Sequence, residues 1–148
     1  MADAGALDTA DLDMLLGFRL ALASVPAGRV FRRHIGEPFG LRKVEFTLLI
    51  LLLANPGAAP KQIAQGLSLA PPALTAIVDR LAARGLVERR KSQHDGRALE
   101  LWLTDKGLTL ARRTQAISRT MEDGLLAALS PAERAMLREL LVKLAAAA

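Results

Sequence analysis

Between Lys61 and Thr104 the chain can fold in few ways, because helical and extended spacing alternate there over short, punctuated stretches. Pro60 to Leu67 and Pro71 to Arg84 each open on a proline, which suits a first helical turn. In the second stretch Leu74, Ile77, Val78 and Leu81 recur at i, i+3, i+4 and i+7, the spacing of a buried stripe. Gly85 is placed to stop that helix at its C′ position. Leu86 to Lys91 and Ala98 to Leu103 read as a β-hairpin with Ser92 to Arg97 at its tip. The return strand alternates Leu99, Leu101 and Leu103 with Ala98, Glu100 and Trp102.

Ile63, Ala64, Leu67 and Leu69, followed by the stripe, have the spacing of a helix-turn-helix. Ala64 stands where two steeply crossing helices need a small side chain, and the hairpin adds a wing. The same pattern would equally serve two short helices and a hairpin packing a core with no further partner. The expected fold is therefore mainly α with a small β-hairpin, a winged helix-turn-helix.

Around this unit the spacing predicts more helices. Lys43 to Ala54 is apolar nearly all round and so belongs in the centre, and Asn55-Pro56-Gly57 ends it. Leu12, Leu15, Leu16, Leu20 and Ala23 have helical spacing, with Thr9 as N-cap. Pro26 and Gly28 are expected to kink or interrupt that helix, and Gly36, Pro38 and Gly40 to form a loop. Met1 to Leu7 and the terminal alanines are expected to fray. Thr104 caps a helix reaching about Met121, and Ser130-Pro131-Ala132-Glu133 is a capping box opening the last helix. The first and last helices carry more apolar face than one chain can cover. The organisation expected is 1–40, a dimerisation helix and loop; 41–104, the winged helix-turn-helix; and 105–148, C-terminal dimerisation helices, all in one interleaved domain.

The chain has 148 residues and no cysteine, which excludes disulfides, thiolate zinc sites and thiol catalysis. His34 and His94 lie far apart, and no nucleophile–base set or Gly-rich phosphate loop is present, so neither enzyme activity, cofactor nor metal is expected. Phe46 to Ala54 is about half a membrane span, and Asp3, Asp8, Asp11 and Asp13 make the N-terminus unlike a signal peptide. A cytoplasmic protein with no membrane partner is expected. The net charge is only +5, but six basic residues against two acidic ones between Arg80 and Arg97 concentrate +4 of it there. That concentration favours a polyanionic partner.

PPALTAIVDRLAARGLVERRKSQHDGRALELWLTDKG closely resembles the winged helix of the MarR family of transcriptional regulators. The match rests on VDRL in the second helix, GLVERR entering the hairpin, Asp95-Gly96-Arg97 at its tip and Leu103-Thr104-Asp105-Lys106-Gly107 at its exit. The resemblance extends along nearly the whole chain and implies a homodimer that binds double-stranded DNA. It places Pro72, Ala73, Thr75 and Ala76 toward base edges, Arg97 in the minor groove and Asp95 as its brace. Lys61, Arg80, Arg84, Arg89, Arg90 and Lys91 are candidate phosphate contacts. Where family members carry polar residues, this chain has Pro72 and Ala76, which shifts expected readout toward DNA shape. The resemblance also implies a repressor released by a small aromatic or phenolic effector, with Phe18, Leu22, His34 and Phe46 as candidate pocket residues. A winged helix that has lost DNA readout and binds protein instead is the alternative reading.

Overall fold

The structure, a computed structural model, describes residues 7–147. Asp3, the expected fraying of residues 1–6 and the last alanine lie outside the described residues. The chain forms two compact units, 1–32 with 122–148, and 33–121.

The first unit opens on a 3₁₀ turn, Ala10–Met14, and α1, Leu16–Phe31. Thr9 does not cap α1. It precedes the 3₁₀ turn with helical dihedrals, its hydroxyl makes no cap bond, and Asp8 Oδ1 accepts from the Ala10 amide instead (2.9 Å). Nor does Pro26 interrupt α1, which continues past it to Phe31. The carbonyl that the proline leaves without its helical donor belongs to Leu22, an exposed residue. A second 3₁₀ turn, Leu125–Ala128, precedes α7, Pro131–Ala145. Here the expected box forms in full. Glu133 Oε2 accepts from the Ser130 amide (2.7 Å) and Ser130 Oγ from the Glu133 amide (3.3 Å). The Ser130 amide holds the Glu133 carboxyl below its ordinary pKa.

A π turn, Arg32–Gly36, leads into the second unit and α2, Glu37–Phe39. The loop expected over Gly36, Pro38 and Gly40 is thus helical almost to its end. Gly40, at φ +60°, stops it, and the Leu41 amide reaches back to the Gly36 carbonyl (3.0 Å). α3, Lys43–Ala54, has the expected bounds and buries Leu48, Leu49 and Leu52. It packs against α6, Asp105–Ser118, against α5, Pro71–Ala83, and against the sheet. α4, Pro60–Gly66, crosses α5 with Ile63 and Ala64 buried. Residues 105–121 group with this unit by packing.

β1, Val87–Lys91, pairs antiparallel with β2, Leu99–Leu103, in register Val87 to Leu103. Residues 57–58 add a short third edge: the Gly57 amide donates to the Leu101 carbonyl (3.1 Å) and the Leu101 amide to that of Ala58 (3.0 Å). Thr104 ties the hairpin to α6. Its hydroxyl donates to the Gly85 carbonyl (2.5 Å) and accepts from the Gly107 amide (3.0 Å), while its own amide donates to Leu86 (3.1 Å). Among the described residues no helix is long and apolar enough to cross a membrane.

Candidate nucleic-acid interface

With Leu74, Ile77, Val78 and Leu81 buried, α5 turns Pro72, Ala73, Thr75 and Ala76 to solvent at its N-terminal half. Two prolines in the first turn start the helix without a side-chain cap. The Thr75 hydroxyl donates to the Pro71 carbonyl (3.1 Å), which leaves its oxygen able to accept, beside three small apolar groups. A groove of about 800 Å³ opens between α4, α5 and the hairpin. Lys61, Thr75 and Arg89 stand around its apolar floor of Leu69, Leu74 and Leu99.

The wing tip is organised by its own backbone. Ser92 Oγ accepts from the His94 and Asp95 amides (3.2 and 3.4 Å), and the Ala98 amide closes the turn on Asp95 (2.9 Å). Asp95 Oδ1 accepts from the Arg97 backbone amide (3.1 Å). Asp95 therefore braces the turn that carries Arg97 rather than its guanidinium, which is exposed.

On the outer face of the hairpin, Trp102 Nε1 donates to Glu100 (3.0 Å) and the Arg90 guanidinium stacks 4.9 Å from the ring centroid. The Trp102 indole and the Ser92 hydroxyl hold the Glu100 carboxyl below its ordinary pKa. Gly57 lies under the indole with φ +78°, where a Cβ would come 2.7 Å from Cζ2. Only glycine meets both conditions.

Four of the expected phosphate contacts are committed inside the chain. Arg80 Nε donates to Glu45 Oε1 (3.0 Å), whose side chain is only 5% exposed. Arg84 Nη1 and Nη2 donate to the Gly40 and Phe39 carbonyls (2.7 and 2.8 Å), closing the end of α2. Arg89 pairs with Asp79 of α5 (2.6 Å), and Arg90 pairs with Glu88. Each of these four cations has an acceptor within the chain. Lys61, Lys91 and Arg97 are exposed and carry no ion pair among the described residues.

Glu45 was not legible as a site residue. It sits three residues into α3, where its Oε2 also accepts from the Arg42 amide (2.8 Å). Burial pushes its carboxyl pKa up, but the Arg42 amide and the Arg80 guanidinium outweigh burial and leave it lowered. Glutamate three residues after a helix start is a capping signal, but its partner Arg80 lies 35 residues away. As for the expected effector residues, Phe18 is half-buried and Leu22 exposed on α1, His34 is exposed in the π turn, and Phe46 is half-buried on α3.

A helix-turn-helix with a two-stranded wing, a small-residue reading helix and unpaired cations at the wing defines a DNA-binding regulator. Comparison with known proteins narrows the class. The sequence profile of the MarR family matches residues 39–98. An HTH-type transcriptional repressor of Mycobacterium tuberculosis is 32% identical over 120 residues, covering 79% of this chain and 86% of that protein. The transcriptional repressor CouR, solved bound to a 23-mer DNA duplex, is 34% identical with a TM-score of 0.86, covering 95% of this chain and 99% of that one. PcaV from Streptomyces coelicolor, solved with its natural ligand, is 25% identical with a TM-score of 0.83, covering 95% and 99%. The chain belongs to the MarR family.

Proposed function

We propose that the chain is a ligand-responsive repressor that binds a pseudo-palindromic operator as a homodimer. The observation that carries the reading is the exposed N-terminal half of α5 beside a wing whose Arg97 is unpaired, all within one compact unit. Pro72, Ala73, Thr75 and Ala76 meet base edges in the major groove, Arg97 enters the minor groove, and Lys61 and Lys91 meet phosphates. Three small apolar groups offer contact with thymine methyls and few hydrogen bonds, so part of the selectivity comes from groove width.

Homodimerisation is supported by the first unit. Leu12, Leu15, Leu16, Leu20 and Val25 are exposed there, as are Met136, Leu137, Leu140, Leu141 and Leu144. Exposed apolar side chains gathered on these helices in that number mark an interface. Ligand response is supported by a second groove of about 490 Å³ in the winged-helix unit. Phe39, Leu86 and Leu110 floor it, Arg84, Lys106 and Arg113 rim it, and Arg113 stacks over Phe39 at 5.1 Å. That chemistry suits an aromatic anion. CouR is also solved bound to p-coumaroyl-CoA, at 34% identity and a TM-score of 0.80 over 95% of this chain. Phe18, Leu22, His34 and Phe46 do not line this groove, so its own residues are the ligand contacts proposed here. Catalysis plays no part in this role, and a repressor of this kind works in the cytoplasm.

Fluorescence polarisation against the upstream region of the gene, over a salt series and with p-coumarate as the first probe ligand, tests the reading. Sequence-selective binding with a steep salt dependence is expected, weakened by the probe or a related aryl acid. A flat slope with no sequence preference would favour a protein-binding winged helix instead.

A further inference from the structure

Arg80 is the one basic residue of α5, and its partner is buried. Its Nε meets Glu45 Oε1 at 3.0 Å, and the same carboxylate takes the Arg42 amide on Oε2 at 2.8 Å. One side chain thereby holds the first turn of α3 and a guanidinium one turn beyond the base-facing residues of α5. With 5% of the Glu45 side chain exposed and 38% of Arg80, the pair has a dry end and a wet end.

We infer that Glu45 is a positioning residue for DNA readout, and that Arg80 is its anchor on α5 rather than a phosphate ligand. The inference rests on α5 being the reading helix. Apolar contacts from Leu74, Ile77, Val78 and Leu81 hold α5 against the core but tolerate small rotations and slides, since packing forces are weakly directional. The carboxylate does not tolerate them. Any rotation that withdraws Arg80 leaves a charged group buried with half its partners, which is strongly unfavourable. Misplaced settings of the helix are thus penalised more than the correct setting is rewarded. The residues so placed, Ala73, Thr75 and Ala76, lie one to two turns along the same helix. Readout by small side chains has short reach, so it depends on that placement more than readout by long ones.

Three variants and two readouts separate this from the alternatives: Glu45→Gln, Arg80→Met and the double variant. Hydrogen exchange of α5 amides in DNA-free protein reads the anchor directly. Affinity for a duplex enriched by the wild-type protein from a random pool, divided by affinity for a shuffled duplex, reads specificity. That ratio is unaffected by a loss of folded fraction, so a purely structural defect leaves it unchanged. The expectation is at least tenfold faster exchange in α5 and an approximately tenfold lower ratio for each single variant, with the double variant no worse. The salt slope on the shuffled duplex stays as in wild type. An unchanged ratio in Glu45→Gln overturns the inference. So does a slope reduced by about 0.9 per subunit in Arg80→Met, the signature of a lost phosphate contact. Arg80→Lys guards against misfolding: it keeps the charge and is expected to restore part of the exchange protection. If the wild-type protein enriches no duplex, the DNA reading fails while the exchange result still judges the anchor.

Discussion

Gly107 is the position where the join between wing and scaffold leaves no room. A Cβ built there would stand 1.9 Å from the Leu86 carbonyl oxygen and 2.8 Å from its carbon. Carbon–oxygen contacts settle at roughly 3.3 Å or more, so Gly107→Ala must open the join by about 1.4 Å. The obstacle is backbone, and that carbonyl accepts the Thr104 amide (3.1 Å), so it cannot turn aside. Moving α6 instead pulls the Gly107 amide off Thr104 Oγ1 (3.0 Å), losing the N-cap.

A lost cap costs about 0.5–2 kcal/mol and overpacking about 1–3. Replacing a helical glycine returns about 0.5–1. The balance is a destabilisation of about 1–4 kcal/mol, and the clash decides the sign. With a urea slope of about 2 kcal/mol/M, the midpoint should fall by about 1 M at fixed protein concentration. Gly66→Ala is the control: a Cβ there meets nothing within 4 Å, and the same substitution should raise stability by about 0.4–1 kcal/mol. A Gly107→Ala midpoint equal to or above wild type would refute the reasoning about the join.

Other perturbations separate the roles of individual groups. Arg97→Ala should weaken operator binding by about 1–3 kcal/mol in a polarisation titration and leave the urea midpoint unchanged, since the guanidinium makes no ion pair among the described residues; undiminished affinity removes the minor-groove role. Leu137→Glu and truncation before Ser130 should both abolish self-association in sedimentation, and a surviving truncated dimer contradicts the assigned interface. Because the folded-state pKa of Glu45 is depressed below its ordinary 4.5, its contribution is complete above that value and is lost as pH falls through the folded pKa. The stability advantage of wild type over Glu45→Gln should therefore be full at pH 7 and shrink in acid. An advantage that is constant down to pH 2 would show that the carboxylate charge contributes nothing.

What could be read from the sequence was what local spacing encodes. The bounds of α3, the stripe of α5, Gly85 as a stop at φ +69° and the Ser130 box depend on residues within a few positions of one another. Pro26 misled because a proline's local penalty was weighed without its surroundings: α1 is a long helix with an exposed face, and one open carbonyl does not end it. The third sheet edge at residues 57–58 was missed because its pairing partner, Leu101, lies 43 residues downstream of Ala58. Glu45 and Arg80 were missed as a pair for the same reason, each carrying only a local meaning, a cap signal and a surface cation.

The commitment of cations inside the chain changes what the +4 between Arg80 and Arg97 means. Counted from sequence, six candidate phosphate contacts and the minor-groove Arg97 put seven cations per subunit on the DNA, fourteen in a dimer, and the slope of log K against log salt would be about −13. With Arg80, Arg84, Arg89 and Arg90 held by Glu45, by two backbone carbonyls, by Asp79 and by Glu88, three remain: Lys61, Lys91 and Arg97. Six contacts in a dimer give a slope near −5. Arg89 and Arg90 have exposed partners and can be drawn away by phosphate, which would raise the slope toward −9, whereas Arg80 faces a buried carboxylate it cannot leave cheaply. A measured slope between −5 and −9 therefore supports a wing that carries the electrostatic contact and a helix whose cations hold it in place. A slope near −13 would put the helix cations back on the DNA.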